Sequence, residues 1–185
     1  AKTYFPRLLF LVGSHEMDSN NTIVLGSAEN GIQINLLGVT YFDRETSCSS
    51  ITGTMIHEFA HILDGNIAVP IEYDLITKDG YIGDSYTRAP NDYLEHGFLS
   101  NYARSSPAED IAVTTAALVG ETPEWWENTL NSIQSSEARA QIEKKRDMII
   151  SWLKNEFSID VYKWRDTYQD RLNRLDEIDW DNLED

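Results

Sequence analysis

Cysteine is nearly absent from this chain. Cys48 stands alone among 185 residues, so no internal disulfide can form, and one thiol suits a cytosolic protein as well as a disulfide-free exported one. Basic residues are scarce too. Lys and Arg total 15 against 31 Asp and Glu, a formal charge of -16 with a pI near 4.5. The molecule therefore repels phosphate backbones and anionic headgroups, and neither nucleic acid nor an acidic membrane surface is expected as a partner. Long apolar runs are missing: the longest, Leu8 to Val12, is far too short to span a bilayer or form a signal-peptide core, so the chain reads as soluble. A start at Ala1 with no targeting segment fits a portion processed or excised from a longer product. No internal repeat or low-complexity tract is present.

What remains is ordinary globular material. Hydrophobic residues make up 41% and aromatics 11%, enough for a packed interior, and the length suits one domain over residues 1–185. Residues 1–47 read as mainly β. Leu8–Val12, Thr22–Leu25 and Ile32–Leu37 are short apolar runs, each closed by glycine, the second by Gly26-Ser27. In the third, Ile32, Ile34 and Leu36 alternate with Gln33 and Asn35, which predicts a half-exposed strand whose polar side could meet a ligand. Residues 48–66 switch to helical spacing, with Ile51, Met55, Phe59 and Ile62 in line and Gly65-Asn66 as a stop.

Residues 67–106 form a long region without periodicity, and loops of that length tend to be functional. Residues 107–175 read as helices: Ser106-Pro107 and Thr122-Pro123 open two, and Ser136–Phe157 and Ser158–Leu175 are longer and amphipathic. Val161, Trp164, Tyr168, Leu172 and Leu175 share one stripe of the last, a core face. Residues 176–185 hold six acids and read as a solvated tail. Trp125-Trp126 reads as a buried aromatic corner rather than a ligand platform, and Cys48 as a small buried hydrophobe.

The chemistry lies in His57-Glu58-Phe59-Ala60-His61, an H-E-x-x-H sequence inside the predicted helix. Four residues make about one turn, so both imidazoles project from one face and can share one Zn²⁺, with Glu58 beside its open position. A bound zinc lowers the pKa of its water towards ~7 and polarises a carbonyl, while the carboxylate moves the proton from water to leaving group. The competing explanation is an accidental pair of helix histidines. With 4 His in the chain, the pattern arises by chance in about one such sequence in 150, and Ile56, Phe59, Ala60, Ile62 and Leu63 would bury those imidazoles unpaired. The long metzincin pattern is excluded, because Asp64 and Ile67 stand where it needs Gly and His. His15, His96, Glu95, Glu109 and Asp110 remain as third ligands.

His57–Leu63, followed by Tyr102-Ala103-Arg104-Ser105-Ser106-Pro107-Ala108-Glu109-Asp110-Ile111-Ala112, resembles the zinc-binding metallopeptidases of Bacteroidetes, known also as substrate-import-associated zinc metallohydrolase lipoproteins. The pattern is also distantly similar to the catalytic domain of anthrax lethal factor, a gluzincin. The likeness covers about Ile32 to Val119. It implies one zinc ion held by His57, His61 and Glu109, with Glu58 as general base and Tyr102 as hydroxyl donor to the oxyanion. It further implies a cell-envelope or extracellular protein, held to a membrane only by a lipid anchor outside this chain, and outer-membrane nutrient-uptake components as possible partners. One departure stands out: Val113 occupies the place of a usual second acid four residues after Glu109, leaving Asp64 or Asp110 to orient a histidine.

Residue chemistry gives Glu109 support and a rival role. Ala108, Ala112 and Ala116 would let its helix approach closely, yet Ser106…Glu109 is also a capping box, which wants an acid regardless of metal. The expected fold is therefore α+β and zincin-like, with a small N-terminal sheet, the H-E-x-x-H helix and a mostly helical C-terminal half. The expected activity is zinc-dependent hydrolysis of a peptide or protein substrate, laid along an edge strand at Gly31–Leu37. The alternative is a non-catalytic zinc-containing binding module of a nutrient-uptake complex.

Overall fold

The computed structural model describes residues 7–11, 16–17, 23–24, 26–29, 33–37, 44–174 and 177. His15 and Leu175 lie outside them, as does the acidic tail apart from Glu177; Cys48 falls in a helix, its side chain outside the described part.

A strand with apolar residues on one face needs a cover for that face, and Gln33–Leu37 finds cover on both. This strand, β5, is the middle of three: β1 (Arg7–Leu11) pairs with it in parallel, and β4 (Gly26–Glu29) pairs antiparallel, in a register that sets Ala28 opposite Ile34. A separate ribbon joins β2 (Glu16–Met17) to β3 (Ile23–Val24). Two expectations change here. The strand at 33–37 is central rather than an edge, and Asn35 is buried with Ile34 and Leu36 instead of facing a ligand. Its amide is satisfied internally, accepting from Gln33 Nε2 at 2.9 Å and donating to Ser27 Oγ at 3.0 Å. The Gly26-Ser27 turn signal instead opens the edge strand.

Helix α1 (Arg44–Asn66) begins four residues earlier than expected and lies between the sheet and the other helices. Ile62 packs with Ile34 and Leu36 on the sheet side, Met55 and Phe59 flanking them. Ile56 and Leu63 join the larger core built with α2 (Pro107–Gly120), α3 (Pro123–Ser132), α4 (Ser136–Phe157) and α5 (Val161–Asn173). Ala60 and Ala112 are both fully buried, small residues that suit the close packing of α1 on α2; Ala108 is exposed and takes no part. Val161, Trp164 and Tyr168 pack against this core, the face expected of the last helix, and Trp126 is buried with its indole N–H on Ala117 O.

Residues 67–106 form a chain of turns and short 3₁₀ segments fastened to α4. Trp152 Nε1 donates to Ile67 O, Gln141 Nε2 to Ile76 O and Lys145 Nζ to Gly97 O, while the Glu95 carboxylate accepts from the backbone N–H groups of Gln134 and Ser135 just ahead of α4. Each is a side-chain bond to backbone, so the segment is ordered without periodicity. Among the described residues no helix is long and apolar enough to cross a membrane.

Candidate metal centre

His57 and His61 stand one turn apart on α1, and Glu109 occupies the third position of α2, after the N-cap Ser106 and Pro107. Ser106 Oγ accepts from the Glu109 backbone N–H at 3.2 Å, so Glu109 takes part in the cap through its main chain. The carboxylate turns towards α1: Glu109 Oε2 lies 2.9 Å from His57 Nε2 and 3.3 Å from His61 Nε2, and the two Nε2 atoms are 3.2 Å apart. The capping and ligand readings of Glu109 thus describe two different groups of one residue.

Protons satisfy that triangle poorly while Glu109 is ionised. The carboxylate only accepts, so both imidazoles must donate to it, and two N–H groups then face each other across 3.2 Å. One cation shared by the three atoms removes the conflict. Their separations suit it, since bonds of 2.0–2.1 Å to a tetrahedral zinc place ligand atoms about 3.3 Å apart. Among the described residues this is the group of His, Cys, Asp and Glu whose ligand atoms converge for a metal ion.

The other candidate ligands among the described residues are engaged elsewhere. His96 pairs with Asp92 at 3.3 Å on the surface, Glu95 accepts from Gln134 and Ser135, and Asp110 is bonded to Lys145 and Tyr81. Asp64 accepts from Val69 N at 2.8 Å. Asp110 is thus held by Lys145 and Tyr81, whereas the charge of Asp64 still acts on His61 and helps to raise it.

Glu58, on the same turn as His57, is only 7% exposed. Burial pushes its carboxyl above the ordinary range; the charges of His57 and His61 oppose this and that of Glu109 adds to it. Its other wall is β4. A Cβ at Gly26 would lie 3.2 Å from Glu58 Oε1 and 2.6 Å from Thr54 Cγ2, so glycine is what allows the strand to approach the carboxylate. Tyr102 is 41% exposed, its ring 5.9 Å from that of His57 and braced edge-on by Tyr86 at 5.3 Å. Burial, the charge of Glu109 and a hydrogen bond to it push the phenol pKa far up, so the hydroxyl keeps its proton.

The same couplings set a pH dependence. Burial alone would raise Glu109, but hydrogen bonds from His57 and His61 outweigh it and hold the carboxyl at about 2 against an ordinary 4.5. Burial alone would lower His61, yet the hydrogen bond to Glu109 and nearby acids raise it above 6.5. A depressed acid stabilises above its unfolded value and loses that contribution as pH falls through the folded one; a raised histidine stabilises below its unfolded value and loses it as pH rises. In chelator-treated protein the cluster therefore contributes most between about pH 4.5 and 6.5. Thermal melts across pH 2–8 are expected to show Tm falling on both sides of that window in wild type and a flatter profile in Glu109→Gln.

Sequence reasoning missed three neighbours. Gly26 reads as turn punctuation and Tyr86 as one of nine tyrosines. Lys145 carried a usable signal, for it interrupts the buried stripe Ala138, Ile142, Ile149, Trp152 on α4.

Comparison with known proteins follows the same lines. A family model described as "Putative zinc-binding metallo-peptidase" matches residues 1–162. A crystal structure of a putative zinc-binding metallo-peptidase from Bacteroides caccae ATCC 43185 matches at 26% identity with a TM-score of 0.76, covering 96% of this chain and 68% of its own. No curated protein matches.

Proposed function

The chain belongs to the "Putative zinc-binding metallo-peptidase" family, and from that premise we propose that it is a zinc-dependent peptidase of the gluzincin, zincin-like type. One ion would be held by His57, His61 and Glu109, and peptide bonds would be hydrolysed with Glu58 as general base. The observation that supports this reading is the triangle of Nε2, Nε2 and Oε2 atoms, whose separations suit one shared zinc ion.

When bound, zinc supplies a Lewis acid for the scissile carbonyl and lowers the pKa of a coordinated water towards ~7. The residues do the rest. Glu58, desolvated and so a stronger base than a surface carboxylate, takes the proton from the attacking water and gives it to the leaving amine. Tyr102, kept neutral beside Glu109, donates its hydroxyl proton in a hydrogen bond to the oxygen that becomes negative. Substrate would lie along β4, the strand that borders Glu58, and not along Gly31–Leu37 as the sequence suggested.

Metal analysis after incubation with a modest excess of zinc is expected to give one equivalent per chain, and chelation should remove hydrolysis of a peptide library. Folded protein that takes up no zinc would refute the proposal. Tyr102→Phe is expected to lower kcat by about 100-fold with little change in KM, as for a donor acting mainly in the transition state. A pure rise in KM would make Tyr102 a substrate-binding residue instead.

A further inference from the structure

Helix α4 buries Ala138, Ile142, Lys145, Ile149 and Trp152, at spacings of four, three, four and three. Four of these are apolar, and the fifth is a lysine with 2% of its surface exposed. Its ammonium lies 2.6 Å from Asp110 Oδ2, donates to Gly97 O at 2.9 Å and sits 3.9 Å above the centroid of the Phe98 ring. Asp110 is 0% exposed. Its Oδ2 also accepts from the Tyr81 hydroxyl at 2.9 Å, while Oδ1 is buried with no hydrogen-bond partner.

Stability alone does not account for this pair. Two charges taken out of water cost heavily, and well-packed apolar residues of similar volume commonly serve a core as well or better. The unpaired Oδ1 adds to that cost. What an ion pair provides and a greasy contact does not is direction. Asp110 follows Glu109 on the first turn of α2 and points about 100° away around the helix, so fixing Asp110 from α4 fixes the rotation that aims Glu109 at the histidines. The same ammonium holds the carbonyl of Gly97, five residues before Tyr102.

We infer that Lys145 is a positioning residue for the metal centre, orienting Glu109 through Asp110 and the Tyr102 segment through the Gly97 carbonyl. It touches neither substrate nor metal in this role, and the inference rests on the zinc reading above. Residues that hold a ligand in place from outside the coordination shell are commonly worth 10–100-fold in metal affinity, and the expectation here is a loss of about tenfold or more.

The test measures zinc affinity by chelator competition, and visible absorption of the cobalt-loaded protein, in the full chain. The main variant combines Lys145→Met with Asp110→Asn, removing both charges so that neither is stranded in the core. It is expected to melt cooperatively yet bind zinc at least about tenfold more weakly, with shifted cobalt bands. Leu130→Ala, which opens a hole in the core beneath α3, should lower Tm while keeping zinc affinity within about twofold. Wild-type affinity and unchanged bands in the double variant would overturn the role, as would affinity that tracks Tm equally in both proteins. If the double variant does not fold, Asp110→Asn alone is judged by the same two measurements. A wild-type chain that binds neither zinc nor cobalt refutes the site itself, an outcome distinct from a wild type that binds and a double variant that binds equally well.

Discussion

Glu58→Gln is expected to cut turnover by about 10²–10⁴-fold, the range for loss of a general acid-base group, while leaving zinc content at one equivalent. The glutamine is nearly isosteric, so the side chain still fits against the bare backbone of Gly26. It cannot accept the proton. Metal binding should survive because the triangle of ligand atoms is made by His57, His61 and Glu109 without Glu58. Folding should survive as well: burial already disfavours the charged carboxylate, so a neutral amide at this site should not lower Tm. Steady-state kinetics on a peptide substrate with metal analysis of the same sample decide the matter. A variant that loses its zinc would make Glu58 a ligand or a support for one, and a variant with full turnover would remove it from the chemistry.

Glu109→Ala is expected to weaken zinc binding by more than about 100-fold, the upper end for losing an outer partner of a ligand, because the proposed site would lose a ligand itself. The substitution is clean for a structural reason. Ser106 caps α2 through the backbone N–H of residue 109, which alanine retains, so the ~1 kcal/mol typical of an N-cap is kept and the helix should stay formed. Two histidines one turn apart would remain, a pair that binds zinc weakly. Unchanged affinity in chelator competition, or a zinc-bound crystal structure with Glu109 beyond ~3 Å from the ion where ligation needs ~2.0–2.2 Å, would refute the assignment.

The histidine pair was legible in the sequence because helical spacing converts four residues into one face, and the glutamate between them came with it. Glu109 was only half legible. Capping and ligation ask for the same residue at the same place, and only three dimensions show the main chain doing one and the carboxylate facing the histidines. Strand β4 was illegible because Gly26-Ser27 looks like a turn; a glycine chosen for a close approach carries the same letter as one chosen for a bend. Lys145 sits in Lys144-Lys145-Arg146, a run that ordinarily marks a solvated helix face, and its burial depends on an acid 35 positions away. The ordering of residues 67–106 was hidden for a related reason, since bonds from Gln141, Lys145 and Trp152 to distant carbonyls leave no local pattern.

Among the described residues, the helix bearing His57 and His61 is shared between two separate apolar clusters. The side packed through Ile56, Leu63 and Ile111 belongs to the helical cluster, whereas the sheet side holds Ile34, Leu36 and Ile62. Separate regions of one fold open separately on warming. Loosening of the wall beside the base is accordingly an event distinct from loss of the proposed grip on the ion. Were the first to occur alone in heat-stressed protein, metal content would overestimate the fraction of working molecules.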